Sequence, residues 1–445
     1  MVQATQVSDS SIKKDTNQHG GRMIAAGAIG TLIEYYDYYL FGLASAAVFP
    51  TVFFPTDNAA VGTMQSFGSF AVGFLLRPIG GLVFGHIGDR WGRKTNLLIT
   101  VVGMGIATAG IGMIPPTEKI GIAAPIILLI LRMFQGLFVG GEMGGAASLV
   151  TEHATTGHRG LFGAFLISGA GIANVFSAGF MSTLAGGDHG FFMTWGWRIP
   201  FWFALLLAII AVVLREKIDD SDEFKEMQKE ERENGKKNMP FKQILRHPKN
   251  AILGILIGLP QSIAGYIILT FGVSYVITKG VPAQVGFIGT LIVGLFQIVV
   301  APLFGALSDK IGRRKIYIAA CILFAALVYP TFKLYETQVP WLIWLGMVIG
   351  FAFPGVAMMA TLQTMLAEMF DVEARTTGIN IGYQLSNTLG GGFAPLIATA
   401  LTSSFNSIWP VIIYVTVIAI LGIIGTAYAS FRPDTKNADR LYSLE

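Results

Sequence analysis

Twelve apolar stretches, each near the 20 or so residues that carry a helix across a bilayer, occupy the chain from residue 22 to residue 430. They run approximately over 22–49, 59–87, 94–114, 123–149, 158–185, 198–215, 249–278, 284–308, 315–334, 340–367, 374–402 and 407–430. A chain with this pattern has few folds open to it. In hydrocarbon every backbone N–H and C=O must be satisfied internally, so the spans are read as helices. Composition agrees: 53% of residues are hydrophobic and only 13% are charged, where a soluble chain carries about a quarter. The net charge of +4 does not point to nucleic acid, because the basic residues gather in alternate loops.

Those loops set an orientation. With the N-terminus in the cytoplasm, Arg90, Arg93, Lys94, Arg159, Lys310, Arg313, Arg314, Lys315, Arg375 and Arg432 lie inside. Only Lys119, Arg198, Lys279 and Lys333 lie outside, so both termini are expected to be cytoplasmic. Residues 1–20 lack the apolar core of a cleavable signal peptide. The lone Cys321 excludes a disulfide within the chain. The expected organisation is a tail over 1–21, a six-helix bundle over 22–215, a charged cytoplasmic linker over 216–248, a second bundle over 249–430 and a tail over 431–445.

The chain repeats itself. Gly85-x-x-x-Asp89-Arg90-x-Gly92-Arg93-Lys94 returns 220 residues later as Gly305-x-x-x-Asp309-Lys310-x-Gly312-Arg313-Arg314-Lys315. Glu152 with Arg159 after span 4 returns as Glu368 with Arg375 after span 10. Paired copies at that distance imply two homologous halves able to move against each other. Glycines spaced by four, as in Gly81/Gly85, Gly136/Gly140 and Gly141/Gly145, let helix backbones approach closely, for packing or for sliding.

Charges at mid-membrane cost roughly 2.5–3.5 kcal/mol each on insertion scales and are functional hypotheses by default. Glu34 and Asp37 lie in span 1, with Glu34 about 18 Å along a helix from Arg22. Their i, i+3 spacing puts both carboxylates on one face, where two close carboxylates cannot easily both ionise. Arg77 sits about 18 Å inside the Asp89 turn, and its counterpart 220 residues on is the neutral Gln297. Arg132, with Gln135 and Glu142 on the same face, is near the middle of span 4. The two arginines are placed to bind an anionic substrate, to pair with Asp37 or Glu34, or to do each in turn. The second half offers neutral groups: Gln261, Tyr266, Gln297, Gln363, Tyr383, Gln384 and Asn387. Amides of this kind serve as helix glue as often as they serve ligands.

The lead-in Arg77-Pro78-x-Gly80-Gly81 belongs to a larger set with Glu34-Tyr35-Tyr36-Asp37, Gln135-Gly136-x-x-x-Gly140-Gly141-Glu142 and Trp195-Gly196-Trp197-Arg198-Ile199-Pro200. Together they resemble the metabolite:proton symporters of the major facilitator superfamily, across the whole chain except its polar ends. That resemblance implies an all-α membrane protein of twelve helices in two six-helix halves related by pseudo-two-fold symmetry. It implies a monomeric secondary transporter in the cytoplasmic membrane, not an enzyme, with no cofactor, metal or nucleic acid. It implies symport of protons with a small organic acid, shikimate-like, aromatic or a di- or tricarboxylate, or with a zwitterion such as proline or a betaine. Asp37 with Glu34 would couple the proton. Arg77, Arg132, Gln135, Tyr35, Tyr38, Gln261, Tyr266, Gln297, Tyr383, Gln384 and Asn387 would meet the substrate. Gly85, Asp89, Arg90, Gly92, Arg93, Glu152, Arg159, Asp309, Gly312, Arg313, Glu368 and Arg375 would form a conformational latch. A uniporter, an exchanger or a transport-dead membrane sensor with the same scaffold are the alternatives.

Overall fold

The structure, a computed structural model, describes residues 31–91, 93–153, 159–216, 248–370 and 375–430. They form helices joined by short turns, with ten long and apolar enough to cross a membrane. We number the membrane segments α1 (31–47, continued by Phe49–Val52), α2 (Ala59–Leu75 and Arg77–Trp91), α3 (Arg93–Met113), α4 (Ala123–His153), α5 (Arg159–Ala185) and α6 (Ile199–Glu216). The second half contains α7 (Pro248–Gly265 through Gly272–Thr278), α8 (Ala283–Ile311), α9 (Arg313–Glu336), α10 (Pro340–Met347 through Pro354–Met369), α11 (Arg375–Ser386 through Ala394–Phe405) and α12 (Trp409–Tyr428). Among the described residues, α1 and α11 are the two membrane segments outside these ten; the first turns of α11 are polar.

The bundle is apolar on its outer surface as well as through most of its core. Leu82, Met113, Ile106 and Val299 face outward, while Asp37, Arg77, Arg132 and Gln135 are buried. Such a surface suits lipid, and such an interior keeps charge away from it.

Local chemistry fixes the ends of helices. Asn58 caps α2 by accepting from the amides of Ala60 and Val61. The turn from α8 to α9 passes through Gly312 at φ +100°, a conformation that favours glycine. That explains the glycine in the second copy of the motif.

Glycines also set helix approach. A Cβ on Gly136 would run into the Gly73 carbonyl, one on Gly140 into the Arg77 carbonyl and one on Gly80 into the Leu137 carbonyl. Helices α2 and α4 therefore meet backbone to backbone. Between the halves, Gly171 of α5 and Gly294 of α8 face each other, each Cβ position lying 3.0 Å from the other's carbonyl oxygen. In the second half α7, α10 and α11 each widen into a π-helical turn, at Tyr266–Phe271, Val348–Ala352 and Asn387–Gly392. The triple glycine Gly390-Gly391-Gly392 ends the last of these, and Cβ atoms at Gly391 and Gly392 would collide with Tyr266 and Phe74.

Candidate functional site: a buried charge cluster in the first half

Asp37 on α1 is held by three donors from two other helices. Arg132 Nη1 of α4 donates to Oδ2 at 3.0 Å, and Gln135 Nε2, one turn further on, donates to Oδ1 at 2.6 Å. The Thr108 hydroxyl of α3 lies 2.9 Å from the same Oδ1 and 2.8 Å from the Met104 carbonyl, and accepts from Gln135 Nε2 at 2.7 Å. Arg132 Nη1 also donates to Gln135 Oε1 at 3.0 Å. All four side chains are buried. A carboxylate and a guanidinium taken this far from water need such a network to offset their desolvation.

Arg132 is nevertheless only partly satisfied. Its Cζ lies 4.0 Å from the centre of the Phe41 ring, and its Nε and Nη2 carry no hydrogen bond. Gly73 makes room for it: a Cβ there would sit 2.5 Å from Arg132 Nε. Arg77 is similar. Its guanidinium stacks on Phe74 at 3.6 Å and Tyr38 at 4.2 Å, and Nε and Nη1 have no hydrogen-bond partner. A cation over an aromatic face is stabilised by the ring quadrupole without using its N–H groups. Two buried guanidinium groups thus keep donors available for a carboxylate.

The structure divides the two carboxylates that the helical spacing put on one face. Asp37 turns to α3 and α4, while Glu34 accepts the Tyr38 hydroxyl at 2.5 Å. Through the Tyr38 ring, Glu34 joins the surroundings of Arg77.

Groups of the second half reach this region. The Tyr35 and Tyr383 hydroxyls are 2.9 Å apart, and Thr388 Oγ1 donates to the Phe74 carbonyl at 3.0 Å. Tyr266 packs edge-on to Phe70 and Phe74. Gln297 Nε2 donates to the Ile167 carbonyl of α5 at 3.4 Å. Asn387 Nδ2 is taken by its own helix at the Tyr383 carbonyl. Gln384 is buried with neither amide atom bonded, and Gln261 and Gln297 each keep an unbonded Oε1. Sequence reasoning missed Thr108, Phe70, Phe74 and Thr388.

Of the latch residues, Asp309, Arg313 and Glu368 come together. Arg313 pairs with Asp309 at 3.1 Å and with Glu368. Asp309 Oδ2 also accepts the Leu161 amide at the start of α5, 3.1 Å away, which ties the halves at this end. The side chains of Gly85, Asp89, Arg90, Gly92, Arg93, Glu142, Glu152, Arg159 and Arg375 lie outside the described residues. A groove of about 650 Å³ is lined by Phe53, Gln65, Ser69, Thr117 and Pro125 among others, and by no charged side chain.

The model of the Major Facilitator Superfamily matches residues 27–296 and 278–442. The chain belongs to that superfamily. It is 37% identical over 394 residues to the shikimate transporter of Escherichia coli K12, covering 87% of this chain and 89% of that one. It is 34% identical over 423 residues to the proline/betaine transporter of Salmonella typhimurium, with 91% and 82% covered. It is 32% identical over 411 residues to the alpha-ketoglutarate permease of Escherichia coli K12, with 91% and 92% covered. These relatives place it among the metabolite:proton symporters. A solved structure of a proton:xylose symporter bound to 6-bromo-6-deoxy-D-glucose superposes with a TM-score of 0.70 at 17% identity, covering 93% of this chain and 95% of that one. The fold is thus the twelve-helix, two-half fold of this superfamily. The protein is a multi-pass membrane transporter of a small molecule and not an enzyme.

Proposed function

We propose that the protein couples inward proton flow to uptake of a small organic acid by alternating access. The observation that carries this reading is the buried pairing of Asp37 with an incompletely satisfied Arg132. Ionised Asp37 holds Arg132. Protonation of Asp37 releases it, and the freed guanidinium takes the substrate carboxylate, with Arg77 beside it. Neither charge is stable alone in this interior, so substrate and proton move together. Glu34 tunes the site through Tyr38. Both termini are cytoplasmic, residues 22–215 and 249–430 are the rocking bodies, and residues 216–248 link them. The Asp309, Arg313 and Glu368 cluster closes the cytoplasmic end.

A zwitterionic osmolyte is the second reading, favoured by the proline/betaine relatives. Aromatic faces at Tyr38, Phe74 and Tyr266 suit a quaternary ammonium. Against it, Arg77 already covers two of those faces.

The test is uptake of labelled shikimate, 2-oxoglutarate and proline betaine by proteoliposomes with an imposed pH gradient. Accumulation that a protonophore abolishes supports symport. Uptake that ignores the gradient replaces symport with facilitated diffusion or exchange.

A further inference from the structure

Helices α2 and α4 touch backbone to backbone where Gly73 meets Gly136 and Arg77 meets Gly140. Towards the starts of both helices the seam opens. A Cβ on Gly68 of α2 would meet nothing within 4 Å, and the groove of about 650 Å³ lies here. Gln65, Ser69 and Val72 of α2 line one side, and Ile122, Ile126 and Leu129 at the start of α4 line the other. Phe53 and Pro55, which follow α1, and Thr117, which precedes α4, bound it as well. Val72 lies about 20 Å along the helix from Ala59, and half of a hydrocarbon core is about 15 Å thick. The groove therefore runs from the helix ends to about the middle of a bilayer.

Its hydroxyls already have partners inside the protein. Ser69 donates to the Ser66 carbonyl at 2.7 Å, and Thr117 donates to the Phe53 carbonyl at 2.9 Å. What the groove offers a ligand is apolar area, with the exposed Gln65 amide on the part of α2 nearest the helix start. It is also continuous with the outward face of the bundle. On α2, Gly68 and Val72 lead at helical spacing into Leu75, Ile79 and Leu82, which are exposed. On α4, the lining residues Ile122 and Ile126 are themselves exposed, as are Ile130 and Met133 beyond them. The groove is an inlet of the surface that meets hydrocarbon.

We propose that this groove is a lipid site, holding an acyl chain of a membrane phospholipid with its tail at Val72 and Leu129 and its ester region at Gln65. A chain lying on a convex helix surface is touched from one side, whereas a chain in the groove is touched by α2, by α4 and by the residues after α1. Dispersion contacts are small singly and add with their number, so the enclosed chain is retained where its neighbours exchange. The inner end of the groove adjoins the charge cluster. Val72 precedes Gly73, which makes room for Arg132, and Leu129 lies about one helical turn before Arg132. The chain thus fills the seam beside the helical turns that carry Arg132. This inference goes beyond the transport reading and does not depend on the substrate or on proton coupling.

The first test counts phospholipids retained by the purified full chain, by native mass spectrometry. The unmodified protein keeps a phospholipid that Gly68→Trp lacks, because the indole fills the groove from a position with open space around its Cβ. Leu82→Trp, on the same outward stripe beyond the groove, keeps it. Equal retention by all three proteins overturns the proposal, and so does loss from both variants. The second test needs no variant. The unmodified protein is irradiated in vesicles of phosphatidylethanolamine that carries a photoactivatable diazirine near the end of one acyl chain, and the labelled peptides are mapped. Residues 68–72 and 125–129 take label several-fold above the outward-facing stretches around Ile209 and Val299. Label spread evenly over the outward faces overturns a retained chain. Label in the groove that shikimate or 2-oxoglutarate displaces makes the groove part of the substrate route, and overturns the lipid assignment as well.

Discussion

Replacing Asp37 with asparagine fixes the proposed coupling group in a neutral form. The structure shows what this does locally. Asp37 receives three hydrogen bonds, from Arg132 at 3.0 Å, Gln135 at 2.6 Å and Thr108 at 2.9 Å, shared between its two oxygens. An asparagine must turn an NH₂ towards Arg132 or towards the Gln135 and Thr108 donors. Either way a donor meets a donor and at least one bond is lost. Hydrogen bonds to charged groups are worth about 1.5–3 kcal/mol, and leaving a buried charge unpaired costs about 3–5 kcal/mol. The empty variant should therefore lose about 2–4 kcal/mol of stability and melt below the unmodified protein. A substrate carboxylate supplies the missing counter-ion, so ligand should raise its melting temperature by more than it raises that of the unmodified protein. Transport separates the steps. A gradient of one pH unit stores about 1.4 kcal/mol per proton and supports about tenfold accumulation of an acid anion moving with one proton. Asp37→Asn should accumulate nothing beyond equilibration, yet still exchange labelled for unlabelled substrate in counterflow. Accumulation by this variant against a gradient would refute the reasoning, and Glu34 would become the first candidate for the proton.

Arg132→Lys keeps the charge but loses the planar fork on Phe41 and the pairing with both Asp37 and Gln135, so uptake should fall by at least about 100-fold with the protein still in the membrane. Normal uptake by the lysine variant would remove the fork argument. Asp309→Asn weakens the bonds to Arg313 and to the Leu161 amide, far from Arg132, and should slow cycling while leaving substrate affinity in detergent unchanged. Counterflow rates and equilibrium binding measured side by side check it. Gly136→Ala drives a methyl into the Gly73 carbonyl beside Arg132 and should destabilise the fold by about 1–3 kcal/mol with loss of uptake; an unchanged melting curve would contradict the close α2–α4 approach.

The buried charges were legible because a charge in hydrocarbon is costly and helix rise converts sequence distance into depth. Asp37, Arg77 and Arg132 could be placed near mid-membrane on that basis alone. Which arginine pairs with Asp37 could not, since both are at similar depth and 1.5 Å per residue says nothing about rotation between helices. Thr108 was invisible for a different reason. A threonine in a helix always has an acceptor in the carbonyl one turn back, as Thr108 has in Met104 as an alternative to Asp37, and Thr361, Thr399, Thr416 and Thr426 donate there without serving any site. Phe74 and Phe70 resemble lipid-facing aromatics in a span until the guanidinium groups lie against them. Glu34 and Asp37 share a helical face, but the i+4 hydroxyl of Tyr38 captures one of them. Side-chain partners, and not Cβ direction, decided that division.

The two halves are built to different mechanical standards, and this bears on how a symporter would divide its work. In the first half the cluster is held from three helices at once, α1, α3 and α4, and neighbouring groups are clamped as well. The Tyr36 hydroxyl, next to Asp37, donates to the Pro200 carbonyl at 2.7 Å. Arg198 donates to the carbonyls of Gly112 and Ile114, which end the helix carrying Thr108. The Trp195-to-Pro200 motif thus braces Asp37 and Thr108 from the end of the bundle. In the second half α7, α10 and α11 are interrupted by wide turns at Tyr266–Phe271, Val348–Ala352 and Asn387–Gly392, and α7 and α11 reach the cluster's surroundings through Tyr266, Tyr383 and Thr388. Such turns often mark functional sites and lack the regular hydrogen-bond ladder that stiffens an α-helix. A proton site works through fixed distances, since a shift of an ångström in Arg132 would change whether Asp37 holds its proton. A substrate site that must close, open and close again needs helices that bend. On the proposed reading, the charge chemistry therefore belongs to the braced half and the motion to the interrupted one, which is also where the repeat replaced Arg77 with the neutral Gln297.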